Sequence, residues 1–78
     1  MTFKQNQTHF LNSLASKFTQ EEILFFFRIL CEDFFDLPRH KLALQLDQQI
    51  SAEQQTKLDK ALLLLQQEYP LQYIIGHT

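Results

Sequence analysis

Hydrophobic residues recur every three or four positions along most of this chain, which is the spacing of amphipathic α-helices. A first segment, residues 3–16, has one apolar stripe, and a second, residues 20–35, has a main stripe with Phe25 and Ile29 pointing away from it. A helix that is apolar on two faces is usually central in a fold or covered by a partner. The main stripes contain Phe3, Phe10, Leu11 and Leu14 in the first segment and Ile23, Phe26, Phe27, Leu30 and Phe34 in the second.

Two prolines divide the rest of the chain. Pro38 suits the first turn of a helix, where its missing amide would have no partner, so the sequence predicts a short helix over residues 38–46. A longer helix is predicted over residues 52–68, ending before Pro70 because the residue before a proline disfavours the helical conformation. The expected core positions of these two helices are Leu42, Leu46, Leu58, Ala61, Leu62, Leu65 and Tyr69.

Three of the predicted helices begin with the same polar signature. At Thr2, Thr19 and Ser51, a hydroxyl residue is followed three positions later by Glu or Gln. In such a capping box the hydroxyl accepts a hydrogen bond from the amide three residues on, and the Glu or Gln accepts one from the amide of the capping residue. Each box precedes an apolar periodicity, which supports a helix start at each place.

Composition agrees with a helical fold. The 78 residues include 14 Leu and 11 Gln, which favour helices, together with no Val and one Gly. A chain of this length forms a single small domain. The predicted fold class is therefore all-α, a small bundle of four to five helices, the fifth being a short turn over residues 70–75 stopped by Gly76.

Charge and hydropathy narrow the possible partners. The formal net charge is −2, and the seven Lys and Arg residues are scattered among nine acids. Domains that bind nucleic acid typically carry a basic excess on one face. The longest apolar run is five residues, whereas a membrane span needs about 20. We expect a cytoplasmic chain without direct nucleic-acid or membrane contact, since the lone Cys31 allows no internal disulfide and the polar N-terminus is no signal peptide.

Few side chains suit catalysis. His9, His40 and His77, together with Cys31, lack the spacing of metal ligands. Cys31 lies inside an apolar helix and is interpreted as a small buried hydrophobe rather than a nucleophile. The acid pair at residues 21–22 lies at the positive end of a helix dipole, where negative charge is stabilising. This structural role explains the pair without acid–base catalysis. The residues predict no catalytic, cofactor-binding or metal-binding site, and they indicate an all-α interaction module.

The heptapeptide over residues 70–76 is the most specific feature of the sequence. It resembles the P-x-Q-Y-I/L-x-G signature of the peptide chain release factor glutamine methyltransferases of the HemK/PrmC type. In that family the signature closes a small helical N-terminal domain and leads into the catalytic domain. The upstream helices follow the family's order, although the second is rich in Phe where many members carry Leu and Ala. The matching residues are Pro70, Leu71, Gln72, Tyr73, Ile74 and Gly76.

The resemblance implies a two-domain parent enzyme. Such an enzyme moves a methyl group from S-adenosylmethionine to the glutamine of the Gly-Gly-Gln loop of a release factor. The family's Asn-Pro-Pro-Tyr motif and glycine-rich cofactor loop are absent from these 78 residues, and we expect both beyond Thr78. The implied division is a substrate-recognition bundle over residues 1–69 and the start of a linker over residues 70–78. The chain itself would bind and position, and S-adenosylmethionine would be held only by the parent's catalytic domain.

Two sets of residues are candidates for contacts with the implied partners, the release factor and the catalytic domain. The resemblance assigns Pro70, Leu71, Gln72, Tyr73, Ile74 and Gly76 to the junction with the catalytic domain. Phe25 and Ile29 are the candidate partner surface, with packing beneath the first or last helix as the alternative. On the residues alone, three other classes stay open: a free-standing adaptor that binds a peptide in a groove, a helix-turn-helix DNA reader, and a small all-α enzyme.

Overall fold

The fold is a bundle of five helices, seen in a computed structural model that describes residues 1–75. No strand occurs within that range, so the predicted all-α bundle of four to five helices is confirmed. None of the helices in the described range is long and apolar enough to cross a membrane. In chain order they are α1 (Phe3–Leu14), α2 (Gln20–Phe35), α3 (Arg39–Leu44), α4 (Ala52–Gln66) and α5 (Leu71–Ile75).

All three predicted capping boxes are formed. At the start of α2, for example, the Glu22 amide donates to the Thr19 hydroxyl at 3.2 Å, and the Thr19 amide donates to the Glu22 carboxylate at 3.0 Å. The same reciprocal pair begins α1 at Thr2 and α4 at Ser51. Each capping side chain stabilises its helix by about 1 kcal/mol, because it satisfies amides that have no partner within the helix.

Helix α2 is the centre of the bundle, since it contacts each of the other four helices. Its Phe27 ring packs edge-on against Phe10 of α1, with ring centres 5.2 Å apart. Burying side chains of this size contributes roughly 1.5–3 kcal/mol each. The core contains Phe3, Phe10, Leu14, Ile23, Phe27, Leu30, Cys31, Leu37, Leu42, Ile50, Leu58, Ala61, Leu62 and Leu65.

The segment between α3 and α4 closes the bundle over the start of α1. The Phe3 amide donates to the Gln48 carbonyl at 3.2 Å, and the Lys4 amide donates to the Leu46 carbonyl at 2.9 Å. These are amides of the first turn of α1, which no helical carbonyl can satisfy. The connection therefore completes the hydrogen bonding of α1 and holds the chain that follows α3 in place.

The structure corrects the predicted ends of three helices. Helix α1 ends at Leu14 rather than at residue 16. Pro38 precedes α3 as its cap instead of occupying the first turn, and α3 ends at Leu44 rather than at residue 46. Helix α4 ends at Gln66, two residues earlier than predicted.

The early end of α4 also corrects the prediction for Tyr69. Glu68 adopts a left-handed conformation, with φ at 65°, and the Tyr69 amide donates back to the Leu64 carbonyl at 3.1 Å. This turn takes the chain off the helical path, so Tyr69 leaves the core stripe and is 41% exposed.

Candidate functional site

The structure gives Cys31 no catalytic environment. The side chain is fully buried in α2, and burial raises the pKa of its thiol from 9.0 to about 12. A nucleophilic cysteine needs the opposite shift, toward the thiolate. Its interpretation as a small buried hydrophobe is confirmed. Across residues 1–75, no three His, Cys, Asp or Glu side chains come together as metal ligands.

A groove lies between α2 and α3. It has a volume of about 520 Å³ and is open to solvent. Its walls are mostly apolar, and its charged residues are Glu21, Arg28 and Arg39. The apolar part is formed by Leu24, Phe25 and Phe27 of α2 and by Leu42, Ala43 and Leu46 of α3 and the turn after it.

Phe25, one of the two candidate partner residues, lies on this groove. Phe25 is 45% exposed. The Arg28 guanidinium carbon lies 5.3 Å from the centre of the Phe25 ring. A cation over an aromatic face is attracted to the ring electrons, so Arg28 is held beside the groove rather than extended into solvent.

Ile29, the second candidate, lies on a different surface. It is half-buried and lines a shallow depression together with Ile75 of α5 and three acidic side chains, Glu32, Asp33 and Asp36. Although Phe25 and Ile29 are one helical turn apart, the structure does not join them into one patch. Ile29 lies beside α5, and Phe25 lies beside α3.

The residues of the heptapeptide form α5, which has an inner and an outer side. Pro70 precedes the helix, and the amides of Tyr73 and Ile74 donate to its carbonyl at 3.0 and 3.3 Å. On the inner side, Leu71, Ile74 and Ile75 are half-buried and pack on the core. On the outer side, Gln72 and Tyr73 are exposed. Gly76, the last residue of the signature, lies outside the described residues.

Two tyrosines form an aromatic surface at this end of the molecule. Tyr69 and Tyr73 stack with ring centres 4.8 Å apart and planes 17° from parallel. Tyr73 is 62% exposed. Nearby, Leu64 shares a depression with Ile74 and Ile75 and with two lysines, Lys57 and Lys60. The surface around α5 therefore offers both apolar and polar contact area.

Sequence reasoning missed the residues that form the groove with Phe25. Arg28 and Arg39 are the only arginines of the chain, and they are 11 positions apart. Helical periodicity places Arg28 on α2 beside Phe25, but it says nothing of how α3 packs. The signal that was available is that both arginines lie on predicted helices that follow one another directly in the chain.

Comparisons with known proteins agree with this fold. A family model described as the PrmC N-terminal domain matches residues 6–76. A curated protein named Release factor glutamine methyltransferase, from Flavobacterium psychrophilum, is 38% identical over 78 residues. That match covers 100% of this chain and 27% of the relative, so the chain spans about a quarter of the relative's length. No solved structure matches the chain.

Proposed function

The chain belongs to the family of PrmC N-terminal domains, and from this membership we propose that it is the substrate-recognition domain of a methyltransferase that acts on a release factor. The family match over residues 6–76 is the observation that carries the proposal. The parent enzyme transfers a methyl group from S-adenosylmethionine to the glutamine of the Gly-Gly-Gln loop, in the cytoplasm. The cofactor and the reacting atoms belong to the catalytic domain of the parent.

A recognition domain has a physical purpose in this reaction. The glutamine amide is a weak nucleophile on a loop of a large protein, and it must be held in line with the methyl donor. Positioning of this kind removes several kcal/mol from a barrier. Binding energy from a remote part of the substrate lowers the barrier when it fixes the reacting group. A helical domain that binds the body of the release factor supplies that energy.

The outer side of α5 is proposed as the contact with the catalytic domain. Support comes from the stacked pair Tyr69 and Tyr73, both of which are exposed. Residues 1–69 form the recognition bundle, and residues 70–78 begin the connection, with Pro70, Leu71, Gln72, Tyr73, Ile74 and Gly76 as the junction residues. The inner side chains of α5 anchor the junction to the bundle.

The test of the recognition role compares two substrates. The parent enzyme and a variant lacking residues 1–69 are assayed on intact release factor and on a short peptide containing Gly-Gly-Gln. The shortened enzyme is expected to lose most of its kcat/KM on intact release factor and to keep its activity on the peptide. Activity on the peptide also serves as the control for folding of the remaining domain. Equal loss on both substrates, or no loss on either, rejects the proposal.

The test of the junction uses amide hydrogen exchange. In the isolated chain, the amides of Tyr73, Ile74 and Ile75 should exchange quickly, because α5 is a five-residue helix that packs on the core through one side only. In the full-length parent the same amides should be protected. Strong protection in the isolated chain would contradict docking of this segment on the catalytic domain.

A further inference from the structure

The groove between α2 and α3 has the features of a docking surface for a protein segment. Its apolar walls include Phe25 and Ala43, both exposed on neighbouring helices. Exposed apolar area that is rimmed by polar residues marks interaction sites in soluble proteins. The groove is open to solvent between two helices, so a segment of chain can reach it.

The charged residues of the groove indicate which kind of ligand it can bind. Arg28 and Arg39 both line it, against the single carboxylate of Glu21. Arg28 is held at the groove by its contact with the Phe25 ring, with the guanidinium carbon 5.3 Å from the ring centre, and Arg39 is exposed. Arginine is the residue best suited to carboxylates at an interface, because its planar group donates two parallel hydrogen bonds. The complementary ligand is therefore an acidic side chain next to an apolar one.

The remaining features of the groove argue for a protein rather than a nucleic acid. A nucleic-acid backbone carries a phosphate at every nucleotide and requires a run of cations. Here two arginines flank apolar walls, Glu21 shares the site, and the chain as a whole has a net charge of −2. These features favour an amphipathic polypeptide segment with a few carboxylates.

We propose that this groove binds an acidic amphipathic segment of the release factor, outside its Gly-Gly-Gln loop. An apolar side chain of that segment packs between Phe25 and Ala43, and its carboxylates pair with Arg28 and Arg39. The inference rests on the proposed function, since it names the surface by which the recognition domain holds its substrate. Of the two candidate partner residues, Phe25 lies on this groove and Ile29 does not.

The experiment is steady-state kinetics of the full-length enzyme on intact release factor and on a short Gly-Gly-Gln peptide. The charge variant is Arg28→Glu with Arg39→Glu. A second variant, Ala43→Trp, fills the groove without changing charge, and its position on the exposed side of α3 makes it compatible with folding. The control is Lys17→Glu, which reverses an exposed charge that does not line the groove.

Both groove variants should raise KM for intact release factor at least tenfold, because a like charge or a blocked wall opposes docking. The same variants should leave kcat and the peptide kinetics unchanged, and Lys17→Glu should change KM less than twofold. The KM increase should also shrink at high salt for the charge variant but not for Ala43→Trp.

Two results would overturn the inference. An unchanged KM for both groove variants would mean that the groove is not the docking surface. In that case the proposed function still stands if removal of residues 1–69 raises KM for intact release factor. If that removal has no effect, the proposed function fails together with the inference about the groove. The second result is that the wild type retains a ribosomal RNA and that Arg28→Glu with Arg39→Glu abolishes this retention while the KM for release factor stays unchanged. That result would mean that the two arginines bind RNA.

Discussion

At the scale of single residues, the least expected feature of the fold is a polar side chain in its core. Asn6 of α1 is fully buried. Its amide nitrogen donates to the Gln55 side-chain oxygen at 2.9 Å and to the Thr2 carbonyl at 3.0 Å, and its oxygen accepts from the Gln55 nitrogen at 2.8 Å. The pair fixes α1 against α4 through bonds that have direction, which apolar contacts lack.

Replacing Asn6 by alanine should destabilise the domain by about 1–3 kcal/mol, because the half-buried Gln55 amide and the Thr2 carbonyl lose a partner. Urea unfolding followed by circular dichroism measures the change. Gln55→Ala and the double variant complete the cycle. The double variant should cost less than the sum of the single ones, and strict additivity would show that the two amides do not act together.

Cys31 predicts a pH dependence of stability. The thiol has a pKa of about 12 in the folded chain and 9.0 as its ordinary value, so the folded state holds the proton more tightly. The stabilisation is fully present below pH 9 and is lost as the pH rises toward 12, by about 1.4 kcal/mol per pH unit.

The measurement is the free energy of unfolding from pH 8 to 10.5 for the wild type and for Cys31→Ala. The alanine variant carries the same tyrosines and lysines, so their titration cancels in the comparison. The advantage of the wild type should shrink above pH 9. A difference that stays constant across this range would show that the thiol is not desolvated.

At the scale of elements, the ends of α2 and α4 use a left-handed residue without glycine. Asp36 has φ at 55° and Glu68 has φ at 65°. After α4, the Tyr69 and Glu68 amides donate to the carbonyls of Leu64 and Leu65, which satisfies groups that the helix leaves without partners. Aspartate tolerates this conformation better than glutamate, because its short side chain can bond locally.

Glu68→Gly should therefore stabilise the domain by about 0.5–1 kcal/mol, since glycine adopts a positive φ without steric cost. Asp36→Gly should change stability by less than that. The midpoint of urea unfolding reports both. Lys60→Gly, on the exposed side of α4, is the control and should cost about 1 kcal/mol. If Glu68→Gly destabilises the chain as much as this control does, the left-handed turn is not strained.

The same elements show what the sequence could predict. Three helix starts were placed correctly because a capping box is a local pattern of two side chains, and α2 was predicted at both ends. The end of α4 was predicted late, because nothing local marks Glu68 as left-handed. Asn6 was missed, since a periodic stripe of apolar residues does not predict a polar partner 49 positions away.

The candidate site was predicted in part for a related reason. The apolar excess of α2 identified Phe25 and Ile29, yet their separation onto two surfaces depends on how α3 and α5 pack. Packing between helices depends on the whole chain, so it cannot be predicted from the sequence of one helix. The heptapeptide over residues 70–76 identified the family, while the inward and outward sides of α5 became visible only with the fold.

At the scale of the molecule, α2 joins the two proposed contact surfaces. One edge forms the groove with α3, where Phe25, Arg28 and Arg39 lie, and the same helix contacts α5. A release factor on the groove and a catalytic domain on α5 would therefore be held by one rigid central helix. This arrangement fits a domain whose task is to position a substrate relative to a neighbouring active site.

If this chain is the recognition domain, it should bind release factor without the catalytic domain. The most direct measurement is a nuclear magnetic resonance titration of the isotope-labelled 78-residue chain with unlabelled intact release factor. The resonances of Leu24, Phe25 and Ala43 should change, whereas those of Tyr69 and Tyr73 should not. No change at any residue, or changes confined to α5, would contradict this expectation.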